Sequence, residues 1–340
     1  MATITALMTT YNASRWVEVS IASILSQTFI DFELLIIDDG SNDRTTQIIN
    51  SFNDKRIRLI SNSGNKGVGV CLDQALSLIN TPYIAKVDAD DISLPCRFEE
   101  QLNYLREHDF DIVKCFLSYF ADDECVQSSA RFKQFKSHKE RLINSVSQPN
   151  DIARTLLDWP CFPHTTYFAK TEPLQRVGYP HLRMFEDYVL FLRLLNAGYN
   201  FGCVEKPLVN MRISDFSVTA SLSKWDLEQG LSFVVDEKWN RLSQCLSNKS
   251  LYIFGTGQIA RAFARLITER KIGIEGFVEK TTTKKVLNSD GIIAPIISLE
   301  DYLALSHSVL VIAAQPVREE LIEILEGKML QKNRDFFILA

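Results

Sequence analysis

The run Tyr83-Ile84-Ala85-Lys86-Val87-Asp88-Ala89-Asp90-Asp91 constrains this chain more than any other stretch. A short, mostly apolar segment reads as a buried strand, and it ends in three carboxylates within four residues. Like charges held so close repel and raise one another's pKa, unless a cation or a hydrogen-bonding ligand sits among them. Hard oxygen ligands of this kind suit Mg2+ or Mn2+ carrying a substrate phosphate. The competing reading is a solvated acidic turn after a strand. The rest of the N-terminal half decides between the two.

That half repeats one pattern. Thr3–Met8 is a β-like run ending in Thr9-Thr10-Tyr11-Asn12. A helix follows from Arg15 to Gln27, with Val17, Ile21, Ile24 and Leu25 at helical spacing. Phe32–Ile37 is continuously apolar, as in a strand covered on both faces, and it stops at Asp38-Asp39-Gly40-Ser41. Asp43 reads as the cap of a helix over Thr45–Phe52. Ile57–Ile60 is a third strand, and a Gly/Asn loop, Ser63–Gly67, precedes a helix through Leu78. Strands alternating with helices predict an α/β fold with a parallel, doubly wound sheet. Such sheets bind ligands beyond the carboxyl ends of their strands. Thr9, Tyr11, Asp38, Asp39, Asp88, Asp90 and Asp91 all fall at such ends. Three strand ends offering related polar chemistry to one crevice favour a site over an accident.

Composition narrows the partners. With 340 residues the chain is long for one domain, so two are expected. A net charge of −5 argues against nucleic acid as a main partner. No apolar run approaches the roughly 18 residues that span a bilayer, and Met1–Thr5 shows no signal-peptide pattern. The expected location is the cytoplasm, with peripheral association at the inner face of the membrane compatible with it. The seven cysteines are scattered and never spaced C-x-x-C, so they read as reduced thiols.

The series Thr9-Thr10-Tyr11-Asn12, Ser23-Ile24-Leu25-Ser26-Gln27-Thr28, Phe32–Ser41, Asn65-Lys66-Gly67, and Asp88-Ala89-Asp90-Asp91 with Pro95 and Arg97 resembles the family 2 glycosyltransferases of the GT-A fold. The likeness covers about residues 3–220. It implies a nucleotide-sugar site with Thr9, Tyr11 and Asp39 in the nucleoside pocket. Tyr11 would stack on a base and Asp39 would accept a base N–H. The D-x-D motif falls on Asp88-Ala89-Asp90. Asp90 would hold Mn2+ or Mg2+, Asp88 would contact ribose or metal, and Asp91 would support them or cap a helix. Lys66 lies near the phosphates by this likeness, or is a solvated loop lysine. Met184-Phe185-Glu186-Asp187-Tyr188 matches the family's E-D motif, which implies Asp187 as catalytic base and Glu186 as its support. As plain chemistry, two carboxylates in a first helical turn are also favourable charge placement. His164, in Trp159–Tyr167, reads as a structural histidine or as part of the acceptor side. Val209–Ser214 resembles the family's closing strand, but Ser214 and Asp215 stand where many members carry a histidine. Arg212 or Ser217 is then a candidate phosphate contact.

Between these motifs, Leu94–His108 is helical and Phe110–Tyr119 strand-like. Residues 121–150 are polar and irregular, with Arg131, Lys133, Lys136, Lys139 and Arg141. They read as a solvated segment or helix face, or as an acceptor-binding or membrane-facing lip. Residues 221–247 form one amphipathic helix connecting domain 1–220 to domain 248–340.

The third part opens with a strand, Leu251–Phe254, a Gly255-Thr256-Gly257-Gln258-Ile259-Ala260 turn and a helix. This is a nucleotide-binding βαβ signature. Glu279 ends the next strand, where a ribose-binding acid belongs. The part resembles small Rossmann-like modules found beside sugar-processing enzymes, though it is short for a dinucleotide domain. Gly255, Gly257 and Glu279 are its candidate ligand residues, with packing or oligomerisation as the other reading.

The expected function is a metal-dependent, inverting glycosyltransferase. It moves a sugar, from a UDP-sugar on this reading, to a glycan or lipid-linked glycan in surface polysaccharide synthesis. A nucleotidyltransferase and a nucleotide-sugar-binding scaffold are the alternatives. The first would need a Gly-rich triphosphate loop that Thr9–Asn12 does not supply. A homo-oligomer is compatible with the sequence, which fixes no oligomeric state.

Overall fold

A computed structural model describes residues 2–214, 223–281, 286–289, 291–314 and 317–339. The chain divides into two compact units, Met1–Leu156 with Pro160–Leu222, and Leu157–Trp159 with Ser223–Ala340. Leu157–Trp159 thus groups with the second unit, although its neighbours on both sides belong to the first. The amphipathic helix expected over 221–247 runs Lys224–Leu246 and also groups with the second unit.

The first unit is built on β1 (Ile4–Thr10), β2 (Phe32–Asp38), β3 (Ile57–Ser61), β4 (Tyr83–Asp88), β5 (Ile92–Ser93), β6 (Ile112–Phe120), β7 (Phe168–Lys170) and β8 (Phe201–Arg212). They lie in one sheet in the order β3-β2-β1-β4-β7-β6-β8-β5. β1–β4 pair in parallel. The expected all-parallel sheet stops there. β7 runs antiparallel to both β4 and β6, and β5 antiparallel to β8, so the sheet is mixed. Parallel strands need crossover helices, and the chain between β6 and β7 returns without placing one more strand in that direction.

Helices Val17–Leu25, Thr45–Ser51 and Arg97–Glu107 cover one face. Ile21, Ile24, Ile49, Phe98 and Leu102 pack there against Met8, Leu34, Ile36 and Val87 in a single core. Residues 121–150, read from the sequence as polar and irregular with a solvated segment or helix face as the expectation, are largely helical. Short helices at Glu124–Ser128 and Ala130–Gln134 lead through a π-turn, Phe135–Lys139, into helices Glu140–Ser145 and Pro149–Leu156.

The second unit holds β9 (Ser250–Phe254), β10 (Gly276–Glu279), β11 (Val286–Ser289), β12 (Ile292–Ser298), β13 (Ser308–Ile312) and β14 (Phe336–Ile338). Their order is β11-β12-β10-β9-β13-β14. All pairs are parallel except the β11–β12 hairpin. The order reverses beside β9, as in Rossmann-like sheets. The hairpin and the short helix Leu299–Leu303 have no counterpart in the sequence-based expectation.

Candidate active site

The site forms where β1, β2 and β4 end together. In register, Thr9 lies between Ile37 of β2 and Asp88 of β4. Asp38 and Asp39 are buried and do different work. Asp38 shapes its own turn, accepting from Thr10 Oγ1 at 3.0 Å and Ser41 Oγ at 2.5 Å. Asp39 reaches across to the next loop. Its oxygens accept from Lys66 N at 2.9 Å, Gly67 N at 2.8 Å and Asn62 Nδ2 at 3.1 Å. Burial works to raise its pKa, but these bonds outweigh it and hold Asp39 below the usual carboxylate range. Gly40, at φ +74°, lies so close to Gly64 that a Cβ would fall 2.6 Å from its Cα. The two loops therefore meet backbone to backbone, which only glycine permits here.

Tyr11 stands 44% exposed beside this floor, free to face a ligand. Lys66 is exposed, with Nζ bonded to Asn62 Oδ1 at 3.3 Å. Asp43 bonds Thr45 N at 2.9 Å and Ser14 N at 3.1 Å, and these bonds, against the opposing effect of burial, bring its pKa down to about 2. It is a turn residue ahead of the helix and not its expected cap, since Arg44 takes the N-cap position with no side-chain cap bond.

At the end of β4 the carboxylates are sorted by their partners. Lys86, fully buried, pairs with Asp88 and donates to Val87 O at 2.9 Å. Burial pushes Asp88 up, but the Lys86 ammonium beside it prevails and Asp88 stays below its ordinary value. Asp90 is pushed up to about 6, first by burial and then by the Asp88 charge. Asp91, buried deeper, is raised well above its ordinary value by burial and by Asp90.

The turn itself is clamped from two sides. Arg97 is fully buried. It donates to Lys86 O at 2.7 Å, Tyr167 O at 3.3 Å, Ser93 Oγ at 2.9 Å and Gln101 Oε1 at 2.9 Å. Arg212, at the end of β8, gives Nε to Asp90 O at 2.7 Å and its backbone N–H to Asp91 Oδ1 at 2.8 Å. Its guanidinium also pairs with Asp122 and lies 4.4 Å from the Phe120 ring centroid. Arg212 thus holds the acidic turn through its backbone N–H and Nε, with Nη1 on Asp122, a support role that the sequence reading did not include. Ser217 and Asp215 lie outside the described residues.

The second pair of acids arrives on a helix. Phe185 takes a left-handed conformation, φ +65°, and helix Glu186–Asn196 starts directly after it. Positive φ at a phenylalanine is strained backbone, which clusters at functional sites. Asp187 Oδ1 accepts from Tyr188 N at 2.6 Å. Asp187 is raised to about 6, chiefly by burial, with Asp88 adding to the rise. Glu186 is raised to about 8 by burial, then by Asp187, with Asp88 contributing. The Lys86 charge acts on both in the opposite sense. Glu186 and Asp187 therefore share one electrostatic pocket with Asp88 and Lys86.

His164 lies in the same pocket. Its Nε2 is 2.8 Å from Tyr179 Oη, which is 2.7 Å from Tyr167 Oη. Burial and the Lys86 charge bring it down to about 3, so it is a neutral, hydrogen-bonded support.

Asp88 and Asp90 fit a hard divalent cation. Both stand at the end of the same strand, Asp88 is held below its ordinary value by Lys86, and the burial and Asp88 charge that raise Asp90 are effects a cation between them would offset. Among the described residues no group of three or more His, Cys, Asp or Glu forms a ready cage. The remaining ligands would come from a diphosphate and water, as is usual for Mg2+. Two surface cavities, of about 540 and 310 Å3, lie at the opposite ends of the strands and include none of these acids.

Sequence reading missed Lys86, Tyr179 and Arg183. The signal for Lys86 was a charge inside the apolar run of β4. Arg183 Nη2 reaches Asn65 O at 3.3 Å, over the loop that Asp39 pins. Nothing in its sequence neighbourhood marks it.

In the second unit, Gly255 turns at φ +97° after β9, and Thr256 Oγ1 donates to Glu279 Oε1 at 2.7 Å. Gly255, Gly257 and Glu279 do gather at the strand ends, with one oxygen of Glu279 already bonded within the protein.

A parallel nucleotide-binding half-sheet that ends in a D-x-D turn, joined to antiparallel strands, defines the GT-A class of glycosyltransferase folds. Solved structures agree on that fold. S. aureus TarS 1–349 in complex with UDP-GlcNAc superposes with a TM-score of 0.52 at 17% identity, covering 69% of this chain and 67% of that one. The mannosyltransferase PcManGT from Pyrobaculum calidifontis, in complex with GDP-Man and Mn2+, gives 0.50 at 17% identity, covering 78% and 69%.

The chain belongs to glycosyl transferase family 2, whose model matches residues 5–156. Among its relatives is the UDP-Glc:alpha-D-GlcNAc-diphosphoundecaprenol beta-1,3-glucosyltransferase WfgD of Escherichia coli. It is 33% identical over 227 residues, covering 65% of this chain and 83% of that one. The O-antigen biosynthesis glycosyltransferase WbnJ of Escherichia coli is 29% identical over 225 residues, covering 64% and 82%.

Proposed function

We propose that this protein transfers a sugar from a UDP-sugar to a hydroxyl of a lipid-linked glycan, with inversion at the anomeric carbon. One observation carries the reading: the acidic end of β4 and the Glu186–Asp187 helix start act on one another's charge within one pocket. The relatives' names support the substrate class, since WfgD is named for UDP-Glc and a diphosphoundecaprenol-linked acceptor.

Tyr11 stacks on the base, Thr9 lines the pocket, and Asp39 holds the Lys66–Gly67 loop against the nucleoside. Cys71 gives the Asp39 carboxylate a fourth hydrogen bond, so its part is to shape the wall of the pocket. Asp88 and Asp90 hold the divalent cation, which when bound neutralises charge on the departing diphosphate. Asp187, with Oδ1 fixed by the Tyr188 N–H, presents Oδ2 to the acceptor hydroxyl. As the acceptor oxygen bonds to the anomeric carbon, Asp187 takes its proton. The bond from that carbon to the phosphate oxygen breaks, and its electron pair leaves with UDP. A positioned base contributes about 10²- to 10⁴-fold. One base without a covalent intermediate fits inversion. Glu186, protonated near neutral pH, adds no second negative charge beside it.

The test is a calorimetric titration of UDP into wild type and Asp90→Ala, with and without Mn2+. Binding that needs Mn2+ and is lost in the variant supports the donor site. Binding indifferent to both would sink the assignment of Asp90.

A further inference from the structure

The helical stretch Ala130–Ser145 projects from β6, and its two sides differ. One side is anchored. Phe135 packs edge-on against Tyr119, with ring centroids 5.2 Å apart. Asn144 brackets the backbone of Leu117, accepting from its N–H at 3.1 Å and donating to its C=O at 2.9 Å. Glu140 accepts from Tyr119 N at 2.7 Å. The side chains thus complete the ladder of β6, and the helix is held firmly.

The rest of its surface is cationic, although Lys136 also reaches the anchored part, bonding Ser118 Oγ at 2.6 Å and Glu140 at 2.9 Å, and Lys139 lies 4.3 Å from the Phe135 ring centroid. Arg131, Lys133, Lys136, His138, Lys139 and Arg141 are all exposed. Between residues 125 and 145 there are five Lys or Arg and one acid, Glu140, in a chain whose net charge is −5; Asp122, Asp123 and Glu124 stand exposed just ahead of them. The cations are clustered within eleven residues, Arg131 to Arg141. They also lie next to the proposed chemistry. Arg131 donates to Ser214 O at 3.2 Å, at the end of β8, and Asp122, just ahead of the helices, pairs with the Arg212 that clamps the metal turn.

We propose that this cationic face of Ala130–Ser145 docks the protein on an anionic lipid bilayer, reversibly and by charge. The proposal rests on the reading that the acceptor is lipid-carried. Clusters of about four to eight Lys and Arg suffice to bind anionic membrane surfaces. Ile143 is buried and Phe132, Phe135 and Leu142 are half-buried, so no exposed large apolar side chain is offered for insertion; adsorption is electrostatic and must be sensitive to salt. Docking here sets the opening beside the metal turn against the surface from which a lipid-diphosphate acceptor arrives. A fluid anionic surface suits a cluster of exposed cations, which needs no fixed partner geometry.

The experiment is co-sedimentation of the full chain with vesicles of phosphatidylcholine alone, or with phosphatidylglycerol added in a roughly three-to-one ratio. Wild type is expected to sediment only with the anionic vesicles, and to be released as salt rises from about 0.05 to 0.5 M. The Lys133→Glu/Ser137→Glu/Arg141→Glu variant is expected to bind at least about tenfold more weakly. A control, Lys55→Gln/Arg58→Gln/Arg176→Gln, is expected to bind like wild type. If the charge-reversed variant does not fold, Lys133→Gln/Arg141→Gln replaces it, with an expected loss of several-fold. Absence of wild-type binding to anionic vesicles at low salt overturns the proposal. So does a folded variant that sediments like wild type, or binding to soluble polyphosphate without binding to vesicles. The UDP–Mn2+ titration is independent of all these arms. A chain that binds vesicles but not UDP removes the glycosyltransfer reading and leaves the surface; the converse removes the surface alone.

Discussion

Asp187→Asn is the most informative single substitution. The amide keeps an oxygen where Asp187 Oδ1 takes the Tyr188 N–H at 2.6 Å, so the helix start is preserved. What is lost is the base. General-base assistance of about 10²- to 10⁴-fold corresponds to about 3–5 kcal/mol of transition-state stabilisation. On the proposed mechanism Asp187 meets the acceptor and not the nucleotide, so kcat falls while UDP affinity with Mn2+ stays within about twofold. Wild type adds a second readout. A base titrating at about 6 is about nine-tenths ionised at pH 7 and about one-tenth at pH 5, so kcat/KM drops about tenfold between them. The assay is UDP release from a panel of UDP-sugars across pH 5–9, with water or a lipid-linked glycan as acceptor. The reasoning is refuted if the variant keeps more than about a tenth of the rate, or if the variant's residual rate shows the same acid limb as wild type.

Three further outcomes follow from the same geometry. Glu186, raised to about 8 by burial and by Asp187, holds its proton more tightly in the folded than in the unfolded chain. Its contribution to stability is present below about 4.5 and lost as pH rises through about 8. Glu186→Gln should therefore raise the melting temperature at pH 9 more than at pH 5, read by thermal unfolding without ligand. Asp39→Ala strands the Lys66 and Gly67 N–H groups and costs about 1–3 kcal/mol; denaturant unfolding reads that loss, and UDP binding should weaken with it. Arg212→Lys removes the Nε bond to Asp90 O and the contact with Phe120. Mn2+ affinity, measured by competition or spin resonance without turnover, should fall several-fold, whereas a phosphate-binding arginine would change UDP affinity without Mn2+ as well.

How much was legible beforehand depends on the kind of fact. The apolar runs of β1, β2, β3 and β4, the helices between them and the polar residues at their ends were all readable. A strand buried on both faces must be apolar along its length, and its end must supply what the ligand needs. The Glu186–Asp187 pair was readable for a similar reason, since its position in a first helical turn is local. The antiparallel β7, the helical path of residues 121–150 and the β11–β12 hairpin were not, because short or polar segments take their form from what they pack against.

Roles divided the same way. Asp39 looks like any turn aspartate until the Lys66–Gly67 loop is folded onto it. Lys86 looks like a flaw in a strand until it is found beside Asp88. Arg212 reads only as a candidate phosphate contact until its guanidinium is seen between Asp90, Asp122 and Phe120. The sequence by itself determined the strand–helix rhythm, the acids at the strand ends and the membership of the family, because these depend on periodicity and local order along the chain. Only the tertiary structure decided which acid is paired, which is raised and which arginine is spent on support. Those are properties of burial and distance in a low-dielectric interior, which decide how strongly even a sequence neighbour's charge is felt.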